Sequence, residues 1–496
     1  MAEDIAVPDL THSPLARLFL RARSALSKGS LDEAVRLWRG LIAVDPDNVE
    51  AMERLATALR GLGRIAEAEA VLRTAIERAP ERASLRVGLG ATLMGWEAYE
   101  KAAEAYARAA VMDPTSLPAR IGLGRACLAG GDAGAAEASF RDALGIDPHS
   151  APALVGLGDA RRRLGDVKEA RRQYAAAVAA APKDATARTR LAEADLRLGN
   201  YAEGWVGLEW RHRMLRGRRL DPGLPLWDGQ PLGTRRLLVR AEGGFAETIQ
   251  FFRLLRALPT QQVVFEVDPA MVEILQYSGW FRGSLVARGD VLPDDLDSWA
   301  PILSLPGLLN MDAEAIPAQI PYLRPDAAMR SAWRSRFGLG INLGLHWSAG
   351  PSPFDDMPRA VPLKAFAPLA KLPRTNLISL QKGTGRQEIA DAPFQMQDWT
   401  AEMDETGSAF LDSITAISAM DAVVSADTAI AHLAGALGVP VWVMMPAPGS
   451  WVWGPLERQS PWYPSARLVR KPATMAWEEV FRMVAEEIRV HLSQAG

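Results

Sequence analysis

The chain is poor in cysteine, in net charge and in long apolar runs, and each scarcity removes a class of protein. Cys127 is the only cysteine among 496 residues. No intramolecular disulfide and no multi-cysteine metal site can therefore form. That fits a reducing compartment. A formal net charge of -3 gives no global attraction to nucleic acid or to an anionic membrane, and neither is expected as a partner. The basic clusters Arg161-Arg162-Arg163 and Arg211 to Arg219 read as solvated helix faces or linker. No apolar stretch approaches the roughly 20 residues that a membrane helix needs. Met1 to Pro14 carries acids early and lacks a basic region followed by an apolar run, so it does not read as a secretion signal. The expectation is a soluble, cytoplasmic protein without membrane insertion, with homo-oligomerisation left open.

What is present is 48% apolar and 23% charged, the balance of a folded chain, at a length that implies about two to four domains. The strongest signal is periodic. Pro46, Pro80, Pro114, Pro148 and Pro182 stand 34 residues apart, each after Asp or Ala at the end of a helix-like run. Ala34, Ala68, Ala102, Ala136 and Ala170 keep the same spacing, as do Trp38, Leu72, Tyr106, Phe140 and Tyr174. A turn glycine recurs at Gly29, Gly63, Gly131, Gly165 and Gly199, slipping in the third unit to Gly95. Small residues let antiparallel helices approach, the aromatic fills the adjacent hole, and proline ends the second helix. This pattern resembles the tetratricopeptide repeat. Residues 15 to about 182 give five repeats, with a sixth, degenerate one to about 212. Such arrays bind an extended peptide or partner helix in their groove, or act as support and dimerisation modules.

Near Trp205 the period is lost, and Asp221-Pro222-Gly223-Leu224-Pro225 marks a boundary. Beyond it strands and helices alternate. Leu237-Leu238-Val239 precedes a helix from about Glu247 to Leu258, and Val263 to Val267 precedes one from Pro269 to Tyr277, with a short run at Leu285-Val286. Pro321 to Phe337 reads as a connector. A second half holds Ile341 to Leu345, Leu377 to Leu380, a helix Phe410 to Ala419, Ala422 to Val424, a helix from about Thr428 to Leu437, Val439 to Val443 and a terminal helix from Trp477 to about Leu492. Two parallel, doubly wound sheets facing a cleft are expected, the first of them short, with ligand at the carboxyl ends of the strands. The domain reading is a 1–14 extension, repeats over 15–212, a linker over 213–234, a first α/β half over 235–325 and a second over 326–496.

Four segments carry a more specific resemblance: Arg240 to Phe251, Ser379 to Gly383, Ser425 to Gly435 and Ser460 to Pro464. In this order they resemble bacterial glycosyltransferases with N-terminal tetratricopeptide repeats, relatives of the heptosyltransferases and, distantly, of protein O-linked N-acetylglucosamine transferases. The resemblance covers nearly the whole chain. It implies a GT-B fold of two Rossmann-like halves, with a nucleotide-sugar held by the C-terminal one. Asp427-Thr428 lies between strand and helix, where helix N–H groups can cradle phosphate. His432 can donate to a phosphoryl or sugar oxygen, Gly435 lets backbone approach ligand, and Lys382, beside Gln381, can neutralise leaving-group charge. Ser348 to Arg359 should form a loop bringing Asp356 and Arg359 near acceptor or phosphates; the family has more polar residues where this chain has Met357 and Pro358. Trp451, Trp453, Trp462 and Tyr463 could stack on a base or sugar, or simply pack.

The family has Gly-Asp where this chain has Ala246-Glu247, and Glu247 takes the place of the catalytic base. Glu242 and Gln250 are weaker candidates. Asp294-Asp295 and Asp355-Asp356 do not suggest a metal site, and no metal or cofactor is expected beyond the nucleotide-sugar substrate, with CMP-linked donors among the candidates. The expected activity is sugar transfer, with nonulosonic acids among the candidate sugars, to Ser or Thr of a protein acceptor recruited by the repeats. Flagellin leads because flagellin glycosyltransferases share this two-part design. The alternatives are a non-catalytic scaffold with a degenerate transferase module, and transfer to a glycan or lipid.

Overall fold

Side-chain volume explains how the 34-residue period folds. In the computed structural model, which describes residues 14–214, 221–260, 262–317, 319–348, 350, 359–403 and 410–494, the period resolves into successive short helices. They run Pro14–Ser27, Leu31–Val44, Val49–Gly61, Ile65–Arg78, Ala83–Met94, Tyr99–Met112, Leu117–Ala129, Ala133–Ile146, Ala151–Arg163 and Val167–Ala180. The alanine series at 34, 68, 102, 136 and 170 is wholly buried, and Trp38, Phe140 and Tyr174 are buried beside it. Glycines make room for the rings. A side chain at Gly90 would meet the Tyr106 ring at 2.8 Å and one at Gly124 the Phe140 ring at 2.7 Å, while Gly122, Gly156 and Gly158 are blocked by the same series of aromatics. These glycines form two further 34-residue series inside helices, where glycine otherwise costs stability.

The turn residues at 29, 63, 131, 165 and 199 all have positive φ, between 73° and 91°. In the third unit the left-handed position falls to Glu97, with φ 56°, and Gly95 sits at an ordinary helical φ of -69°. The backbone thus keeps its period where the sequence breaks it.

The chain divides into two compact units, one of residues up to 161 with 172–182, the other of 162–171 with 183 onward. The second begins with helices Ala185–Leu198 and Tyr201–Leu208, whose close approach rests on Gly204 and Gly207. Its first sheet holds β1 (Leu237–Arg240), β2 (Val263–Val267), β3 (Ser284–Ala287) and β4 (Ser298–Pro301) in the order β3-β2-β1-β4. Its second holds β5 (Ile341–His346), β6 (Thr375–Ser379), β7 (Gln397–Asp398), β8 (Ala422–Ala426), β9 (Val441–Pro446) and β10 (Ala466–Lys471) in the order β10-β9-β8-β5-β6-β7. All their pairings are parallel. The short first half is therefore four-stranded. One apolar core joins β1 and β2 to β8, β9 and Trp205, and a second packs Leu345, Val424 and Trp442 against the terminal helix Trp477–Gln494.

Several expected elements differ. Pro321 to Phe337 is not all connector: Asp326 accepts from the N–H groups of Ala328 and Met329 and starts a helix at Ala327. The helix placed at Glu247 to Leu258 is α-helical only over Phe245–Phe252 and tightens to a 3₁₀ turn over Arg253–Ala257. Strands β4, β7 and β10 were not foreseen. Among the described residues no helix is long and apolar enough to cross a membrane.

Candidate functional site

Each sheet of the second unit has one place where neighbouring strands depart in opposite directions, between β1 and β4 and between β5 and β8. Ligands of open α/β sheets collect at the carboxyl ends of the strands there. A narrow cleft with a cavity volume of about 20 Å³ lies at these ends. Ala246, Glu247 and Gln250 follow β1, Leu303 follows β4, Arg359 follows β5, Asp427 and His432 follow β8, and Ser450 to Val452 follow β9. Five strand ends thus supply the lining.

Glu247 is the third residue of helix Phe245–Phe252, and one carboxylate oxygen accepts from the Gly244 N–H at 2.9 Å. That bond satisfies an otherwise open helix-end donor and leaves the second oxygen without a partner among the described residues. Gln250, one turn on, is fully buried; its Nε2 donates to the Val452 carbonyl at 2.7 Å, and Oε1 has no partner among the described residues. Asp427 accepts from Trp453 Nε1 at 2.8 Å.

His432 is buried, stacked on Trp453 with centroids 4.4 Å apart, and its Nδ1 lies 3.2 Å from the Tyr463 hydroxyl. Tyr463 in turn lies 3.3 Å from the Tyr322 hydroxyl, which gives its single proton to the Ile249 carbonyl at 2.8 Å. Tyr463 must then donate to Tyr322, or two lone pairs would face each other. His432 must donate from Nδ1 to Tyr463. The neutral ring therefore carries its proton on Nδ1 and an acceptor lone pair on Nε2. Burial pushes His432 down to about 3, helped by the charges of Arg253 and Arg359, so the ring is neutral near pH 7. In this tautomer Nε2 meets a ligand as an acceptor. Arg253 is itself buried with no carboxylate partner among the described residues; it lies over the Tyr322 and Tyr463 rings and donates to the Trp462 carbonyl and the Tyr322 hydroxyl.

Other expected ligand residues have internal work. Gln381 is buried, accepting from the Trp347 and Ser348 N–H groups and donating to Ser348 and Thr384 carbonyls, so its amide holds the chain after β5. Lys382 is exposed and donates to the Met403 carbonyl at 2.6 Å, outside the cleft. Thr428 caps helix Ala429–Leu437 and bonds His346 and Ser425. Gly435 faces protein rather than ligand, since a side chain there would meet the Tyr463 ring at 2.5 Å. Trp462 is buried edge-on against Phe251, and of the four aromatics considered for stacking only Trp451 lines the cleft. Glu242 is spent on a buried ion pair with Arg211 and on the Leu303 N–H. Asp356, with Asp355, Met357 and Pro358, lies outside the described residues.

Sequence reasoning passed over Arg197, Arg470 and Tyr322. Arg197 donates to the carbonyls of Pro448, Gly454 and Pro455, and Arg470 to those of Pro448, Leu456 and Glu457. The two guanidiniums strap the loop that carries Ser450 to Val452 into the cleft. Burial lowers both, and the Arg197 charge helps bring Arg470 to about 10. Nothing in the local sequence distinguishes these arginines from surface ones.

The tetratricopeptide repeat family matches residues 19–83, 54–116, 89–151 and 128–185. The chain carries these repeats. Protein FlbA of Caulobacter vibrioides is 28% identical over 318 residues, 58% of this chain and 52% of that protein, a stretch longer than the segment matched by the repeats. Human tetratricopeptide repeat protein 7B is 42% identical over 60 residues, 12% of this chain and 7% of that protein. The chain thus spans about half, or far less, of these relatives. A thermophilic TPR protein of Thermus thermophilus, TTC0263, is 24% identical with TM-score 0.34, covering 37% of this chain and 99% of that one.

Proposed function

We propose that the chain is a glycosyltransferase that moves a sugar from a nucleotide-sugar to a protein hydroxyl, its repeats recruiting the acceptor. Tetratricopeptide arrays bind protein segments, which gives the repeats a role. The observation that carries the reading is the convergence of Glu247, Asp427 and His432 on one cleft at the switch points of two parallel sheets. Glu247, with an unengaged oxygen, takes the proton of the attacking hydroxyl as it adds to the anomeric carbon and the nucleotide departs. Arg359 and the start of helix Ala429–Leu437 offset charge on the departing phosphate. CMP- and UDP-linked donors fit the reading, nonulosonic acids included, without added metal. Flagellin is the leading acceptor, by resemblance to flagellin glycosyltransferases.

A scaffold with a degenerate transferase module is favoured by one observation, the internal roles of Gln381, Gly435 and Trp462. The purified chain, supplied with UDP- and CMP-sugars and flagellin, separates the two. Nucleotide release that depends on Glu247 supports transfer, and none with any donor favours the scaffold.

A further inference from the structure

Two acceptors in the cleft wall, the buried Gln250 Oε1 and the cleft-facing His432 Nε2, have nothing to accept from among the described residues. Gln250 Oε1 is unpaired among the described residues, the amide being oriented by its Nε2 bond to the Val452 carbonyl. His432 Nε2 is unpaired because the Tyr463–Tyr322 chain holds the ring proton on Nδ1, and no bond to Nε2 is made by any described residue. Buried polar atoms in folded proteins are nearly always paired, so Gln250 Oε1, with the His432 Nε2 lone pair on the same cleft, calls for a ligand that donates.

We infer that Gln250 and His432 receive a hydroxyl-bearing, uncharged part of the ligand, the sugar ring of the donor, and that its phosphate lies elsewhere in the cleft. This rests on the transferase reading. A phosphoryl oxygen placed against either atom would set lone pair against lone pair, whereas a sugar hydroxyl donates to both. The phosphate has Arg359 on the same cleft. Burial, helped by the Arg253 and Arg359 charges, keeps the His432 ring neutral, so Nε2 stays an acceptor before ligand enters.

The test compares, in the full chain, UDP-N-acetylglucosamine with UDP and CMP-N-acetylneuraminic acid with CMP by calorimetry. The variant is His432→Asn, whose amide keeps a donor near Nδ1 and deletes Nε2. Loss of about tenfold in affinity for the nucleotide-sugar, with the bare nucleotide within about twofold, is expected from one lost hydrogen bond. Equal losses for sugar-linked and bare nucleotide overturn the assignment while leaving the transferase reading intact. No binding of any of the four by wild type removes the transferase reading and this inference with it. Nitrogen NMR of histidine-labelled wild type needs no variant: the Nδ1–H tautomer is expected for His432, and an Nε2–H tautomer overturns the assignment.

Discussion

The guanidinium of Arg197 grips the Pro448 carbonyl from two atoms, Nε at 3.1 Å and Nη2 at 2.9 Å. Arg197 stands at the end of helix Ala185–Leu198, and Pro448 opens the loop that delivers Ser450, Trp451 and Val452 to the cleft. The loop's position therefore depends on a helix outside both sheets.

Arg197→Ala should loosen that loop, with Arg470 still holding the Pro448 carbonyl. Three carbonyls lose a charged donor, at a cost of about 2 kcal/mol. Amide exchange across 449–455 should rise while β9 keeps its protection. Arg197→Lys should not restore it, because one ammonium cannot reach separated carbonyls as a planar fork does. Unchanged exchange in Arg197→Ala would remove the strap from the account.

In the repeats, Gly122→Val should lower stability by about 1–3 kcal/mol, since the new side chain enters the space of the Tyr106 ring. Glu97→Gly should do the opposite, by about 1 kcal/mol, because it relieves a left-handed residue that carries a Cβ. Thermal unfolding of both variants checks the pair of signs.

Burial lowers His346 as well as His432 to about 3. Both rings are neutral when folded and free to protonate near 6.5 when unfolded, so the unfolded state binds more protons in that window. Their contribution is complete above pH 6.5 and is lost as pH falls toward 3, at about 1.4 kcal/mol per unit for each ring. The midpoint of urea unfolding should fall through this range, and less steeply in His432→Asn. Equal slopes for variant and wild type would show that His432 is protonated in the folded chain.

Gly435→Ala should displace Tyr463 and with it the Nδ1 bond of His432. A stability loss of about 1–3 kcal/mol is expected from overpacking. The histidine NMR signal should also shift to a mixture of tautomers. A single unchanged tautomer would mean that Tyr463 does not set the ring.

The repeats were legible because their physics is local and repeated: Pro46 and its successors, Ala34 and its successors, each report the same packing event. Glu97 shows the limit, since its left-handed backbone is dictated by neighbouring repeats rather than by its own type. In the α/β part, apolar runs such as Val263–Val267 announced strands, but Ser298–Pro301 did not, being short and proline-ended. At the cleft, strand-to-helix position pointed to Glu247, Asp427 and His432. The direction of the His432 proton was not legible, because it is set by Tyr463 and Tyr322, which are distant in sequence. Gln381 and Gly435 have the residue types of a ligand site, yet what they touch is their own chain.

The most direct measurement is the intact mass of flagellin, and of other candidate acceptors, from cells with and without this chain. Sugar transfer predicts a mass loss matching a glycan on deletion, restored by wild type and not by Glu247→Ala or His432→Ala. Acceptor masses that stay the same throughout would contradict it.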